Sequence, residues 1–220
     1  MEGNDSMART DGDDDAALQA RQDEVLGDGP RIAPMERTAV AESVQDSTAR
    51  LAGAVGRSAS GIRLDALPEI MFIMCRVPDL WNALIGVTAQ LQGGGSVLPA
   101  RDRKLAILRT GWLCQAPYEF GEHVKQARRM GFTSDEVERV IVGSSAPEWP
   151  PHERAVLRAV EELHHGSMVS DSTWEQLAAT FDEAQMIELL VLIGQFTATA
   201  YFQNSLRLRL EKGNTGLFAR

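Results

Sequence analysis

From residue 65 onward, apolar positions recur at three- and four-residue steps, and turn residues cut the pattern into helix-length segments. Asp65 can cap a helix over Leu67, Ile70, Met71 and Met74, which Val77-Pro78-Asp79 breaks. Leu80 to Leu91 follows, with Trp81, Leu84, Ile85, Thr88 and Leu91 in helical register, and the run Gln92 to Ser96 reads as a flexible loop. Pro99 occupies a first-turn position, where its missing N–H costs nothing, and opens a helix with Leu105, Leu108 and Trp112 on one face. Pro117 interrupts and starts Tyr118 to Met130, which Gly131 stops. Thr133 and Glu136 have capping-box spacing and open a short helix through Val137, Val140 and Ile141. Pro147 to Pro151 is a rigid loop, and Glu153 to His165 is a helix with Ala155, Val156, Ala159, Val160 and Leu163 inside. Ser172 and Glu175 are a second box, for a helix ending near Phe181. Asp182 and Gln185 cap the longest helix, expected to run towards Lys212 and Gly213.

Alternation with hairpin turns is missing, so the pattern predicts an all-α fold. No fixed-period repeat is evident. Residues 35–57, Ala-rich and weakly periodic, suit a helix or a strap along a bundle. The helical domain is expected over residues 31–215, with 216–220 as a C-terminal tail.

Charge changes the picture at the N-terminus. The chain has 220 residues and a net charge of −9, but residues 1–30 hold nine acids against Arg9 and Arg21. The body is therefore near neutral. The leader is Gly-rich and poor in large apolar residues, so it is expected to be a disordered, solubilising tail. An acidic chain lacks the basic face that nucleic acid requires. Leu189 to Phe202 is the longest apolar candidate, and Gln195, Thr197 and Thr199 interrupt it, so no membrane span is expected. Two cysteines make no disulfide framework, and the start of the chain has no signal-peptide pattern. A soluble cytoplasmic protein is expected.

One stretch concentrates chemistry. Between Arg109 and His123 stand Trp112, Cys114, Tyr118 and Glu119, on two helical ends joined at Pro117. Glu119 and His123 are four apart, on one helix face and within reach of each other. A carboxylate there can fix the tautomer of the imidazole and raise its pKa, the minimal kit for moving one proton. The structural alternative is a hydrogen-bonded pair at a helix contact. Cys114 and Cys75 are each small buried hydrophobes or, together, a redox pair. His152 reads as exposed, and His164-His165 point about 100° apart, a poor start for zinc. No metal site is expected.

The segments Leu98-Pro-Ala-Arg-Asp-Arg-Lys-Leu-Ala-Ile-Leu-Arg-Thr-Gly-Trp112 and Tyr118-Glu-Phe-Gly-Glu-His123, followed by Gly131-Phe-Thr, resemble the carboxymuconolactone decarboxylase family of the alkylhydroperoxidase D-like superfamily. Leu67-Pro-Glu-Ile-Met-Phe and Val77-Pro-Asp-Leu are similar to its upstream helix pair. The resemblance spans roughly residues 60–210. It implies an all-α bundle of about six to eight helices, assembled as a homo-oligomer (dimer, trimer or hexamer) with sites near subunit contacts. The peroxidase branch uses Cys-x-x-Cys-x-x-x-His; counted back from His123, its cysteines fall on Ala116 and Glu119, so thiol peroxidase chemistry by that motif is excluded. Another acidic position of that branch falls on Lys104, either an anion-binding group or a surface charge.

The resemblance implies decarboxylation of a small cyclic or aromatic-derived carboxylic acid, without metal or organic cofactor. The electron pair left by carbon dioxide spreads onto an oxygen as an enolate, which needs a carboxylate holder, an oxyanion donor and an acid for carbon. His123 is the candidate proton carrier, and Glu119 its orienting group or partner base. Arg109, Lys104 or both would hold the acid group. Trp112, Tyr118 and Trp81, with Cys114, would line the pocket. An isomerase, a retro-aldol lyase or a dehydratase would use the same kit, and a non-catalytic helical oligomer is the alternative of another class.

Overall fold

The computed structural model describes residues 11–39, 49 and 67–220. Among them are nine α-helices, a short 3-10 turn and no strand. The helices are α1 (Asp11–Leu26), α2 (Glu69–Met74), α3 (Pro78–Gln92), α4 (Ala100–Leu113), α5 (Pro117–Arg129), α6 (Ser134–Val142), α7 (Pro151–Gly166), α8 (Asp171–Ala178) and α9 (Glu183–Leu206), followed by the turn Gly216–Phe218. The expected cap of α2 at Asp65 and most of the 35–57 stretch lie outside the described residues.

α4 is the central helix. It is buried from Lys104 to Gly111 without a break and packs against α5, α7 and α9. A helix enclosed on all sides shows no amphipathic stripe. One apolar cluster surrounds it, with Leu105, Leu108, Phe120, Val156, Leu157, Leu189, Leu192 and Phe196. A second joins α2 and α3 to the chain after α9 through Met71, Phe72, Trp81, Ile85, Tyr118 and Leu208.

The local signals held at several helix starts. Thr133 Oγ1 accepts from Glu136 N at 3.1 Å while the Glu136 carboxylate accepts from Thr133 N at 2.8 Å, and Asp182 with Gln185 closes the same reciprocal box on α9. Pro78, Pro117 and Pro151 each begin a helix.

Tertiary contacts moved four expectations. The start of α8 is capped by Ser170, not Ser172, because Glu162 of α7 accepts from the Ser170 N–H and hydroxyl and from the Thr173 hydroxyl, fixing the chain two residues earlier. α9 stops at Leu206 rather than near Lys212: Arg207 turns into left-handed backbone at φ 57°, which delivers Leu208 into the second cluster. The acidic leader is not all tail. Within α1, Leu18 packs on the main cluster, Val25 is buried, and the Gln22 side chain accepts from Leu217 N at 2.8 Å. The C-terminal residues are likewise structural, with Leu217 and Ala219 in the core. α9 also has the length and apolar composition of a membrane span, against the expectation of none. Its Leu189, Leu192, Ile193 and Phe196 are buried in the main cluster, with 33% of its apolar window buried in all.

Gly121 permits the C-terminal chain to lie on α5. A Cβ there would stand 1.8 Å from Asn214 Oδ1 and 3.0 Å from Gly216 N. Asn214 is committed, donating to Tyr118 O at 3.0 Å and accepting from Gly216 N at 2.8 Å. Gly121→Ala is therefore expected to destabilise the protein by ~1–3 kcal/mol through overpacking. Thermal denaturation reads this directly, and an unchanged midpoint would show that the C-terminal turn does not pack on α5.

Candidate functional site

α4 and α5 form an antiparallel pair joined by a tight turn. Gln115 takes φ 46°, Ala116 N donates back to Gly111 O at 3.0 Å, and Pro117 starts α5. The turn sets Cys114 beside Glu119 at one end of the pair. Further along, Lys104 faces His123 and Gln126, and α9 closes over both levels with Thr197 and Phe196.

Lys104 is 5% exposed, so the surface-charge reading is wrong. Its ammonium stands 2.9 Å from His123 Nδ1 and donates to Gln126 Oε1 at 3.0 Å. Among the described residues no carboxylate pairs with it. Burial first, then the nearby Arg103 charge, pulls its pKa down to about 8. His123 is 7% exposed, with its ring edge-on to Phe196 at 5.1 Å between centroids. Burial and then the Lys104 charge hold its pKa well below the usual imidazole range. Glu119 is 2% exposed, and neither carboxyl oxygen has a hydrogen-bond partner among the described residues. Burial pushes this carboxyl well above the ordinary carboxylate range.

These environments favour the neutral forms of His123 and Glu119, while Lys104, at about 8, is mainly an ammonium at neutral pH. A ring nitrogen facing an ammonium must accept, so Nδ1 is bare and Nε2 carries the hydrogen, an assignment that follows from the hydrogen-bond network. The expected arrangement, a carboxylate orienting His123 and raising its pKa, is corrected. Lys104 orients the ring, and the pKa falls. The site offers a buried cation, an N–H donor and an un-ionised acid.

Cys114 and Thr197 stand half-buried. The Cys114 thiol is raised to about 11 by burial and then by Glu119, with a hydrogen bond to Thr197 opposing. Cys75 is free and buried in the second cluster.

The other candidates stand elsewhere. Arg109 lies five residues from Lys104, about 140° around the helix. Its guanidinium pairs with Glu161 at 2.7 Å and donates to the carbonyls of Val140 (3.0 Å) and Ile141 (2.6 Å), closing the end of α6. Trp112 packs on Phe120 at 5.3 Å, beneath the Arg220 guanidinium. Tyr118 and Trp81 belong to the second cluster, and the Tyr118 hydroxyl donates to Glu211 at 3.4 Å. His152, expected to be exposed, is half-buried and 2.9 Å from Asp102. Among the described residues no three His, Cys, Asp or Glu side chains gather as a metal site. Gln126, Phe196 and Thr197 are not among the site residues expected from the sequence. Gln126, three residues beyond His123, was findable by helical spacing; the α9 pair carried no local signal.

Residues 78–162 match the carboxymuconolactone decarboxylase family. Among solved structures, the chain is similar to an uncharacterised peroxidase-related protein of Ralstonia eutropha described as an alkylhydroperoxidase AhpD core, with 17% identity, TM-score 0.68, and coverage of 83% of this chain and 93% of that one. It is similar to the debrominase Bmp8, in a Cys-to-Ala variant holding 2,3,4-tribromopyrrole, with 14% identity, TM-score 0.66, and coverage of 85% and 95%. A protein of Agrobacterium tumefaciens related to AhpD shares 21% identity, TM-score 0.58, and coverage of 63% and 94%. At such identities the likeness is one of fold. No curated protein matches the sequence.

Glu119 generates a pH-dependent stability. Its carboxyl is raised in the folded state, so its stabilising contribution is complete below the unfolded value near 4.5 and is lost as pH rises through the folded value. Glu119→Gln cannot ionise. Its melting temperature should match the native protein near pH 4 and exceed it above neutrality, by roughly 2–4 °C per kcal/mol relieved. Parallel melting curves across pH would refute a buried neutral acid.

Proposed function

We propose that the chain, whose residues 78–162 match the carboxymuconolactone decarboxylase family and whose fold is similar to an AhpD core, is a cofactor-independent carbon–carbon lyase acting on a small cyclic or aromatic-derived carboxylic acid. The carrying observation is the buried Lys104–His123 contact beside the unpartnered Glu119. Lys104 attracts the substrate carboxylate. As carbon dioxide leaves, the bond pair spreads onto an oxygen, which His123 Nε2–H stabilises. A neutral imidazole polarised by an ammonium on its far side is a strong donor that does not give up its proton prematurely. Glu119, already protonated, delivers hydrogen to carbon and recovers it from water. Arg109 has no part in this scheme, because Glu161 and two carbonyls occupy its guanidinium.

Thiol peroxidase activity is disfavoured on two counts. A thiol at about 11 leaves roughly one part in ten thousand as thiolate at pH 7. The second thiol, Cys75, sits in another cluster. A related isomerase, retro-aldol lyase or dehydratase is the alternative with the same groups, and a non-catalytic helical oligomer is the alternative of another class, favoured by the burial of Lys104, Glu119 and His123. We place the protein in the cytoplasm as a homo-oligomer (dimer, trimer or hexamer) with a small-molecule acid as its partner. The open faces of Ile187, Val191 and Tyr201 on α9 support association.

His123→Gln is expected to lower carbon dioxide release from lactone and unsaturated ring acids by ~10²–10⁴-fold, with circular dichroism and assembly unchanged. Undiminished turnover would remove the imidazole from the chemistry. Replacing both Cys114 and Cys75 by serine is expected to leave any peroxide consumption unchanged, and its disappearance would restore a thiol mechanism.

A further inference from the structure

We propose that Lys104 forms an imine with its substrate, and that the substrate class is a β-keto acid. This rests on the lyase reading above, replaces the role given there to the Lys104 ammonium by that of a nucleophile with His123 as its proton carrier, and narrows the substrate to acids with a ketone one carbon from the carboxylate.

The geometry is that of a latent nucleophile. Buried ammonium groups are normally matched by a carboxylate. Lys104 is matched instead by an imidazole nitrogen at 2.9 Å and an amide oxygen at 3.0 Å, neither of which neutralises it. His123 Nδ1 lies where it can take a proton from Nζ and leave a free amine. Composition points the same way. Of 22 cationic side chains, 19 are arginine and three are lysine, at positions 104, 125 and 212. Arginine holds carboxylates better, while only lysine can shed its proton and attack carbon. This arginine-rich chain places lysine at the buried position, and the amine is further eased towards its neutral form by burial.

The reaction balances without a cofactor. Lys104 passes a proton to His123, and its lone pair attacks the ketone carbon. The resulting carbinolamine, after a shift of one proton from nitrogen to oxygen, loses its hydroxyl as water with the proton held by His123, giving a protonated imine. The carbon–carboxylate bond then breaks. Its electron pair moves towards the imine nitrogen, forming an enamine and releasing carbon dioxide. The enamine carbon takes a proton from Glu119, and water hydrolyses the imine to free the ketone and restore the lysine ammonium. Glu119 regains its proton from solvent. One water is released and one consumed.

The test uses the full-length protein with acetoacetate and cyclohexanone carboxylate as probes and cyanoborohydride as trap. The expected result is one adduct per chain, equal in mass to the ketone or keto acid less one oxygen atom, mapped to the peptide holding Lys104. Lys125 and Lys212 serve as internal controls. In heavy-oxygen water, each turnover should place a solvent oxygen in the ketone, a readout that needs no variant. Lys104→Arg should abolish both signals. No adduct, an adduct only at Lys125 or Lys212, or ketone retaining its original oxygen would overturn the imine. Carbon dioxide release that persists in Lys104→Arg but disappears in His123→Gln would sink the imine alone and leave the lyase reading standing. Release undiminished in both His123→Gln and Glu119→Gln would sink the lyase reading itself.

Discussion

A Cβ on Gly111 would lie 3.4 Å from Phe120 Cα, so α4 and α5 meet at their joined ends almost backbone to backbone. That approach depends on the turn at Gln115, held by the bonds from Gln115 N to Trp112 O and from Ala116 N to Gly111 O. Once the two helices run antiparallel at this spacing, the level of each side chain is set. Cys114 meets Glu119 near the turn, and Lys104 meets His123 and Gln126 further along. α9 then covers the seam, with Phe196 against the imidazole. A slip of one residue in the pairing would rotate Lys104 away from the ring by about 100°.

The seam holds groups that stability alone does not favour. A buried carboxyl without a hydrogen bond costs about 1–3 kcal/mol, and a buried ammonium without an acid is costly in the same sense. The surrounding core carries this burden. Leu105, Leu108, Phe120, Val156 and Leu192 are fully enclosed on the flanks of the same helices. Each environment also has a chemical consequence. Lack of solvation favours the neutral forms of Glu119 and the imidazole, while the ammonium beside Nδ1 decides which ring nitrogen carries the hydrogen. Several charged groups elsewhere among the described residues are paired: Arg109 with Glu161, Arg101 with Glu136 and Glu153, and Glu162 with Ser170 and Thr173.

Features written within a few residues were legible. The reciprocal caps at Thr133 and Asp182, the prolines opening α3, α5 and α7, and the shared helix face of Glu119 and His123 all follow from spacing. Errors came where distant chain supplied the deciding contact. Ser170 caps α8 because Glu162 reaches it from α7. α1 orders because Leu217, almost two hundred residues away, needs the Gln22 acceptor. Arg109 seemed a carboxylate holder by type, but its position around α4 points it at α6 and α7.

The sequence by itself determined an all-helical chain, most helix limits and the joint placement of Glu119 and His123, because helix formation and capping are decided by neighbours along the backbone. Only the tertiary structure decided that Lys104, rather than Glu119, governs the imidazole, and that the Glu119 carboxyl is buried without a hydrogen-bond partner. Those outcomes depend on which helices touch and on how completely water is excluded between them. Desolvation is a property of the assembled interior, and no spacing along a chain encodes it.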